Sequence, residues 1–306
     1  MGRTWPGLGI LILIAASAAC DNLDHEPVPV WTPPEEFDGP FGPEIEQVAN
    51  PPAPGETLRL VTYNVLRGVD VDEDAEFFMR DPDLSKADVI ALQEAQRPAG
   101  SLEADAAALA HRLQMGFVFV PTFDFDGELH GIALLSRFPL DDIRVMRLPD
   151  KTEVDTISPT AQAALRASIE TTAGPVEIVN VHLDVALNMP ERILQLRPAV
   201  IDEPSPVAVL GDFNTNDYIW IGESIPLLPL DAAADTSQAD ALDGYMRRID
   251  YDTPTAAFGS TWFGFPENQR LDHIYTRGLA TGAGGVVRDL ETSDHRPLWL
   301  DVSAQL

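Results

Sequence analysis

Cysteine is almost missing from this chain of 306 residues, which contains a single one, Cys20. One thiol cannot form an intrachain disulfide, and it cannot build a zinc site that depends on several cysteines. The fold must therefore rest on the burial of apolar side chains. A hydrophobic content of 45% is sufficient for this and argues against an intrinsically disordered chain.

Basic residues are also scarce, because 20 Lys and Arg stand against 49 Asp and Glu, giving a net charge of −29. Proteins that clamp a long polyphosphate backbone do so with Lys and Arg. The composition therefore excludes a surface that is basic throughout and gives no strong sign of duplex nucleic acid binding. It does not exclude an enzyme that binds phosphate through a metal ion.

The apolar run Leu8–Ala16 is shorter than the roughly 20 residues that a membrane-spanning helix needs. It follows Arg3 and precedes the small residues 17–19, an order typical of a secretory signal. Cys20, directly after them, resembles the lipidated cysteine of a bacterial lipobox. We therefore predict a lipoprotein signal peptide over residues 1–20 and a mature protein anchored by lipid at Cys20 in the cell envelope, on the periplasmic or outer face of a bacterial membrane. An ordinary signal with an incidental cysteine is the alternative.

Residues 21–56 contain nine prolines and nine acidic residues but no Lys or Arg. Proline fixes φ and lacks a backbone donor, and like charges extend a chain, so this segment is predicted to be a linker without regular elements. No comparable break divides residues 57–306, which carry 40 acidic and 19 basic residues. We expect one domain there and a monomeric protein.

The body of the chain alternates between strand-like and helix-like segments. Helical spacing predicts Leu102–Leu113, with Ser101 as its N-cap, and Arg192–Val200. With strands dominating, the mixture favours an α/β sandwich over a helical bundle. Period-two alternation or short apolar runs predict strands at Leu58–Leu66, Asp88–Gln93, Phe117–Val120, Ile132–Leu135, Ala163–Glu170, Val176–Val181, Pro206–Leu210, Leu271–Tyr275 and Pro297–Val302.

Polar residues stand where these strands meet loops, which is where rigid elements commonly present catalytic groups. Each one alone has a structural explanation, because an Asp-Phe-Asn sequence is often only a turn and a single strand-end histidine is often structural. Six such coincidences in one order are more informative. They involve Asn64, Glu94, His182 with Asp184, Asp212 with Asn214, Asp272 with His273, and Asp294 with His295.

The motifs around these residues resemble those of the endonuclease/exonuclease/phosphatase superfamily. The resemblance covers roughly residues 57–304 and is carried by TyrAsnVal (63–65), GlnGlu (93–94), HisLeuAsp (182–184), GlyAspPheAsn (211–214), LeuAspHisIle (271–274) and SerAspHisArgPro (293–297). It implies a four-layered sandwich of two mixed β-sheets flanked by helices. It also implies hydrolysis of a phosphate ester with a divalent metal, Mg²⁺ or Mn²⁺.

The chemistry of the residues fits that implication. Asn64 and Glu94 offer the hard oxygen atoms that Mg²⁺ prefers, and Asp294 would help to bind the metal or orient the site. His295 is the candidate general acid or base, since its unperturbed pKa lies near neutrality. The resemblance implies that Asp272 pairs with His295 and fixes its tautomer.

Three further residues complete the candidate catalytic set. His182 could donate a hydrogen bond to the phosphoryl group. Asp212 could orient or deprotonate the attacking water, or contact a second metal, and Asn214 could steady the phosphate or the water. The division of proton transfer between His295 and Asp212 stays open at this point.

Catalytic residues give the reaction but not the substrate. The acidic domain and the predicted lipid anchor favour a small phosphodiester, such as a phospholipid or sphingomyelin-like ester. An exported nuclease of low sequence specificity and a non-catalytic surface lipoprotein are the alternatives. Other polar residues are expected to be structural or superficial: His111 on a helix surface, His130 in a loop, His273 facing away from the site, and Arg166, Arg192 and Arg296 in salt bridges.

Overall fold

Two β-sheets packed face to face form the body of the computed structural model, which describes residues 43–53, 55–149, 162–217, 219–221, 225–227, 237–264 and 268–304. All of these residues belong to one compact unit that spans residues 34–306. The predicted signal peptide, Cys20 and the first part of the predicted linker lie outside the described residues.

Four α-helices are interspersed among the described strands. The helices are α1 (Val71–Arg80), α2 (Asp105–Leu113), α3 (Met189–Leu196) and α4 (Gln238–Arg248). The strands are β1 (Glu44–Glu46), β2 (Thr57–Asn64), β3 (Val89–Arg97), β4 (Gly116–Phe125), β5 (Glu128–Ser136), β6 (Asp141–Arg147), β7 (Ala163–Thr171), β8 (Gly174–His182), β9 (Val207–Asp212), β10 (Ile219–Ile221), β11 (Ile225–Leu227), β12 (Asp272–Arg277), β13 (Leu279–Val286) and β14 (Leu298–Ala304).

Both large sheets are mixed. The seven-stranded sheet has the order β1-β4-β5-β3-β2-β14-β13, and the five-stranded sheet has the order β12-β9-β8-β7-β6. Each contains one parallel pair, β2 with β3 and β8 with β9, while the other neighbours are antiparallel. These four parallel strands end at the same side of the molecule, which we call the site edge.

Three apolar clusters hold four layers together. One lies between the two sheets and includes Leu60, Val89 and Leu210. A second joins α1 and α2 to the outer face of the seven-stranded sheet, and a third joins α3 and α4 to the outer face of the five-stranded sheet. This confirms the predicted four-layered sandwich.

The expectation that residues 21–56 contain no regular element is wrong at 44–46. Strand β1 pairs antiparallel with β4, with Ile45 opposite Val118. The Gln47 side chain then exchanges two hydrogen bonds with the backbone of Leu140, at 2.7 and 3.0 Å. The backbone of β4 supplies the hydrogen-bond partners of β1 along an edge that would otherwise be unpaired. The local sequence of a proline-rich segment does not reveal such distant partners.

Two helix boundaries also differ from prediction. Helix α2 begins at Asp105, because the Ser101 hydroxyl accepts the backbone N–H of Glu103 in a local turn and so does not cap the helix. Helix α3 begins before Arg192, at Met189, where the Glu191 carboxylate accepts the Asn188 backbone N–H. No helix in the described part of the chain is long and apolar enough to cross a bilayer.

Candidate active site

Strand alternation places the candidate residues between the sheets. On β2, Leu58 and Leu60 point into the inter-sheet core, so Asn64 points the same way at the strand's end. The same parity links Leu210 to Asp212 on β9 and Ile274 to Asp272 on β12. The apolar layer between the sheets therefore becomes polar at the site edge.

Glu94 reaches this layer through a β-bulge. Leu92 of β3 pairs with Ala133, and Ala95 pairs with Gly131, so two residues of β3 lie opposite one residue of β5. The backbone of Glu94 takes φ +58°, a left-handed conformation that is uncommon for this residue type. Bulges of this kind re-aim side chains next to active sites, and here the bulge brings the Glu94 carboxylate within hydrogen-bond reach of Asn64, at 3.1 Å.

The five-stranded sheet brings three site residues into one row. Asp212 of β9 is the register partner of both His182 on β8 and Asp272 on β12. Gly211 makes this spacing feasible, since a Cβ at that position would lie 1.9 Å from the carbonyl oxygen of Val181.

Asp212 is the centre of the site. It is 1% exposed, and its Oδ2 accepts a hydrogen bond from Asn64 Nδ2 at 2.9 Å. Its Oδ1 accepts the backbone N–H of Asn214 at 2.8 Å. The Nε2 atoms of His182 and His295 each lie 3.7 Å from Oδ2. Asp212 thus joins the two sheets and faces two imidazoles.

His295 and Asp272 form a buried pair in which Nδ1 lies 2.8 Å from Oδ2 of the carboxylate. Thr261 Oγ1 fixes the Asp272 backbone by accepting its N–H at 3.0 Å. Burial alone lowers the pKa of an imidazole, but the carboxylates of Asp272 and Asp212 outweigh it and raise the pKa of His295 to about 10. His295 is therefore an imidazolium at neutral pH, with Nδ1–H donated to Asp272.

The other predicted site residues occupy less central positions. Asn214, with φ +50°, donates its amide N–H to the carbonyl of Leu183 at 2.7 Å and so pins the loop after β9. The Asp294 carboxylate accepts the indole N–H of Trp262 at 2.8 Å. Ser293 links Asp294 to Asn64, because its hydroxyl lies 3.4 Å from the Asp294 carboxylate and donates to the Asn64 carbonyl at 2.7 Å. All eight predicted site residues thus lie at the site edge.

A polar bridge under the site was not predicted. Gln93 donates to Asn180 Oδ1 at 2.8 Å, and the Asn180 amide donates to the carbonyls of Leu92 and Ala133 at 2.9 and 2.8 Å. The bridge crosses from β8 to β3 and β5 beside the Glu94 bulge. Gln93 and Asn180 are both 0% exposed. The sequence signal was a polar residue with core parity, two positions before His182.

The remaining polar candidates have structural contacts. His273 faces the outer side of β12 as predicted, bonded to Thr215 and Tyr275. His111 is partly exposed on α2 as predicted, whereas His130 lies within β5 and not in a loop. The three arginines bond to protein groups: Arg166 to Glu177, Arg192 to Gln238 and a backbone carbonyl, and Arg296 to backbone carbonyls. Among the described residues, Arg166 forms the expected salt bridge, with Glu177.

The donor set suits a divalent cation. Ligand atoms of Asp212, Asp272 and His295 lie within 4.8 Å of one another, but a protonated His295 has no lone pair for a cation, so the oxygen atoms of the site are the suitable ligands. In the described part of the chain, the site carboxylates have no ion pair with Lys or Arg, and Oδ1 of Asp272 is buried without a hydrogen-bond partner. Burial raises the pKa of Asp212, and the charge of Asp272 adds to this, although both imidazoles oppose it. Concentrated negative charge of this kind is what a hard cation stabilises.

A two-sheet sandwich with an acid–histidine site at one edge is the DNase I-like architecture of phosphoesterases. The family model for the endonuclease/exonuclease/phosphatase family matches residues 61–295, and the chain belongs to this family. The family acts on phosphate esters and generally uses a divalent metal. None of the curated protein sequences compared with the chain matches it.

Solved structures show the same fold. The chain is similar to an endonuclease/exonuclease/phosphatase from Beutenbergia cavernae, at 19% identity and TM-score 0.63, over 81% of this chain and 72% of that one. A family protein from Bacteroides vulgatus has 17% identity and TM-score 0.57, over 81% and 99%. TDP2 of D. rerio, complexed with single-strand DNA product, has 16% identity and TM-score 0.55, over 81% and 99%. At such identities the likeness establishes the fold alone.

Proposed function

We propose that this protein is a phosphodiesterase that depends on Mg²⁺, with Mn²⁺ as a substitute. The observation that carries the proposal is the meeting at Asp212 of a His295–Asp272 pair from one side and an Asn64–Glu94 pair from the other. A phosphodiester is anionic and resists attack by hydroxide, so hydrolysis needs charge neutralisation, an oriented water and a proton for the leaving oxygen.

Asp212 is the proposed acceptor for the proton of the attacking water, because burial makes its carboxylate more basic than an exposed one. His295 supplies positive charge and a proton through Nε2–H, while Asp272 holds Nδ1 and so fixes the ring. His182 donates to the phosphoryl oxygens as negative charge develops on them. Asn214 holds the loop that aims Asp212.

Asn64, Glu94 and Asp294 are the proposed holders of the metal. When bound, the cation polarises a phosphoryl oxygen and stabilises the leaving oxygen. The Asn64 amide ties Glu94 to Asp212, so it aligns the proposed metal ligand with the proposed base. The intact set of interacting polar groups favours catalysis over a role as a non-catalytic surface lipoprotein.

The proposed substrate is a small phosphodiester, with a phospholipid or sphingomyelin-like ester preferred. Support comes from the acidic domain, in which the arginines nearest the sequence motifs bond to protein groups. An exported nuclease of low specificity is the second candidate, because a protein of the same fold holds a single-strand DNA product. We further propose a monomer whose lipid anchor at Cys20 places it in the cell envelope.

Metal-dependent turnover tests the reaction. The full chain in detergent should hydrolyse bis-p-nitrophenyl phosphate with Mg²⁺ or Mn²⁺ and stop in EDTA, and activity should return when the metal is restored. Turnover that persists in EDTA would contradict the mechanism. A panel of sphingomyelin, phosphatidylcholine, plasmid DNA, RNA and inositol phosphates then identifies the substrate class, and inactivity on all of them with metal bound would favour a binding role.

Fractionation of cells tests the anchor. Cys20→Ser should move the protein from the membrane to the soluble fraction, while Cys20 in the unchanged chain keeps it in the membrane. Equal membrane retention of both proteins would show that the anchor is absent.

A further inference from the structure

The β4–β5 hairpin turns at the site edge and carries two aromatic rings beside the site. Ile132 and Leu134 of β5 point into the inter-sheet core, so His130 points into the same layer, closer to the site edge. His130 pairs with Gln96 on β3, one pair beyond the bulge that presents Glu94. The ring of Phe123 stacks on His130 with centroids 5.0 Å apart and an angle of 6°.

His130 is buried but makes no side-chain hydrogen bond among the described residues. It is 7% exposed, and Oε2 of Glu128 lies 3.8 Å from its Nε2. The buried histidines His273 and His295, by contrast, both have hydrogen-bond partners. The ring nitrogens of His130 are not among the side-chain atoms that are fully buried without a partner. They therefore reach solvent beside the candidate site, where an imidazole without a protein hydrogen bond can bond to a ligand.

The hairpin offers no positive charge to that ligand. Residues 116–136 contain no Lys or Arg, whereas Asp124, Asp126 and Glu128 lie around the turn. Burial lowers the pKa of His130, against the opposing effect of Glu128 and Glu94, so its imidazole is neutral at pH 7. A neutral imidazole has one N–H donor and one acceptor nitrogen.

We infer that Phe123 and His130 form a subsite for the organic group that the hydrolysed phosphate retains, and that this group bears polar atoms but no negative charge. The inference rests on the phosphoesterase function proposed above. A further phosphate at this place would meet the acidic turn, whose carboxylates outnumber the one basic residue that acts on His130, Arg67. A flat or cationic group instead stacks on Phe123 and bonds to His130.

Matched substrates test the subsite. Thymidine 5′-(p-nitrophenyl phosphate) and its 3′-phosphorylated analogue share a leaving group and differ by one phosphate. The unchanged enzyme with Mg²⁺ should favour the first in kcat/KM by about tenfold or more, the factor that corresponds to 1.4 kcal/mol. p-Nitrophenyl methyl phosphate serves as the truncated diester, since its methyl group is too small to reach the rings.

His130→Phe should raise KM for the thymidine ester by about 5- to 10-fold, as expected for one lost hydrogen bond, with kcat nearly unchanged. The same variant should leave kcat/KM for the methyl ester unchanged. His130→Gln, which keeps an N–H donor, should recover part of the loss. His111→Gln changes the partly exposed histidine on α2 and should leave kcat/KM unchanged for both substrates.

Three results would overturn the subsite: equal losses of His130→Phe on both diesters, no loss on either, or a preference of the unchanged enzyme for the 3′-phosphorylated ester. If His130→Phe fails to fold in a thermal melt, Phe123→Ala takes its place with the same expectation. Failure of the unchanged enzyme on every ester, with Mg²⁺ or Mn²⁺, would instead refute the phosphoesterase function itself.

Discussion

The two sheets contribute different chemistry to one site. The five-stranded sheet delivers His182, Asp212 and Asp272 as register partners in a row, all at regular strand ends. The seven-stranded sheet delivers Asn64 and Glu94, and the second of these depends on a bulge. The proposed base, Asp212, thus lies on the five-stranded sheet, while the proposed metal ligands Asn64 and Glu94 lie on the seven-stranded sheet. His295, in the loop before β14, pairs with Asp272 across the two sheets.

The geometry of the site therefore depends on the relative position of the two sheets. Asn64 Nδ2 donates to Glu94 on its own sheet and to Asp212 on the other. Beneath it, Asn180 of β8 holds two carbonyls of the seven-stranded sheet. Variants on each side should therefore fail in different, measurable ways.

The largest effect is expected at His295, which lies in the loop before β14 and pairs with Asp272 of the five-stranded sheet. His295→Ala removes the imidazolium beside Asp212, and kcat should fall by at least about 10²-fold, the scale of a lost acid–base or charge-stabilising group. Because no proposed metal ligand changes, excess Mg²⁺ should not restore activity. Steady-state kinetics across a Mg²⁺ titration check this, and retained activity would remove His295 from the catalytic role.

A different failure is expected on the seven-stranded side. Glu94→Gln removes one anionic oxygen ligand, so the apparent Kd for Mg²⁺ or Mn²⁺ should rise about 10- to 100-fold, a range seen when groups that support a metal are lost. Calorimetric titration with Mn²⁺ measures this independently of turnover. Glu76→Gln, at an exposed glutamate on α1, is the matched control, and unchanged affinity in Glu94→Gln would place the metal elsewhere.

The link between the sheets should affect stability more than chemistry. Asn180→Ala leaves the buried carbonyls of Leu92 and Ala133 without donors and should lower the free energy of unfolding by about 2–4 kcal/mol. Urea denaturation measures the loss. Asn50→Ala, at an exposed asparagine, should change nothing, and equal stability of both variants would show that the bridge is dispensable.

The smallest effect is expected outside the inter-sheet layer, at Asp74 on α1. Burial raises the pKa of Asp74 to about 6, although the Thr292 hydroxyl donates to it at 2.5 Å. The folded state therefore binds the proton more tightly than the unfolded one. The resulting penalty begins as the pH rises past the unfolded pKa of 3.8, is still small at pH 4, and is complete above about pH 6.

Asp74→Asn should accordingly stabilise the protein by about 1–3 kcal/mol at pH 8 and have little effect near pH 4. Thermal or urea unfolding at both pH values checks the sign. Asp72→Asn, at the exposed neighbour on α1, should show no such pH dependence. A stabilisation of Asp74→Asn that is larger at pH 4 than at pH 8 would contradict the assignment.

Sequence reasoning selected the candidate site residues because they stand where predicted strands meet loops, and parity with the core explains why they share one layer. A strand whose apolar residues face one layer directs the next residue of that parity into the same layer, as with Leu210 and Asp212. Alternation cannot predict an inserted residue, so the bulge at Glu94 became visible only in the sheet. The bridge at Asn180 likewise depends on pairing across two sheets, which no local pattern records.

The missed elements share a physical cause. Helix α1 (VDEDAEFFMR) is dominated by acids, yet Asp74, Ala75 and Phe78 are buried by tertiary contacts. Strand β13 (LATGAGGV) is glycine-rich and is formed by its pairing with β14. Strand β6 and helix α4 are polar and partly exposed as well. Packing partners, and not intrinsic propensity, decide these segments.

Strand β1 has a practical consequence for handling the protein. A chain shortened to begin at residue 57 would lose Glu44–Glu46 and leave the hydrogen-bonding groups of β4 unpaired along an edge. Uncovered edges of this kind recruit other chains, so such a fragment would self-associate even with every catalytic group in place. Residues 44–46 of the predicted linker thus protect the solubility of the protein, and fragments for study should start upstream of residue 44.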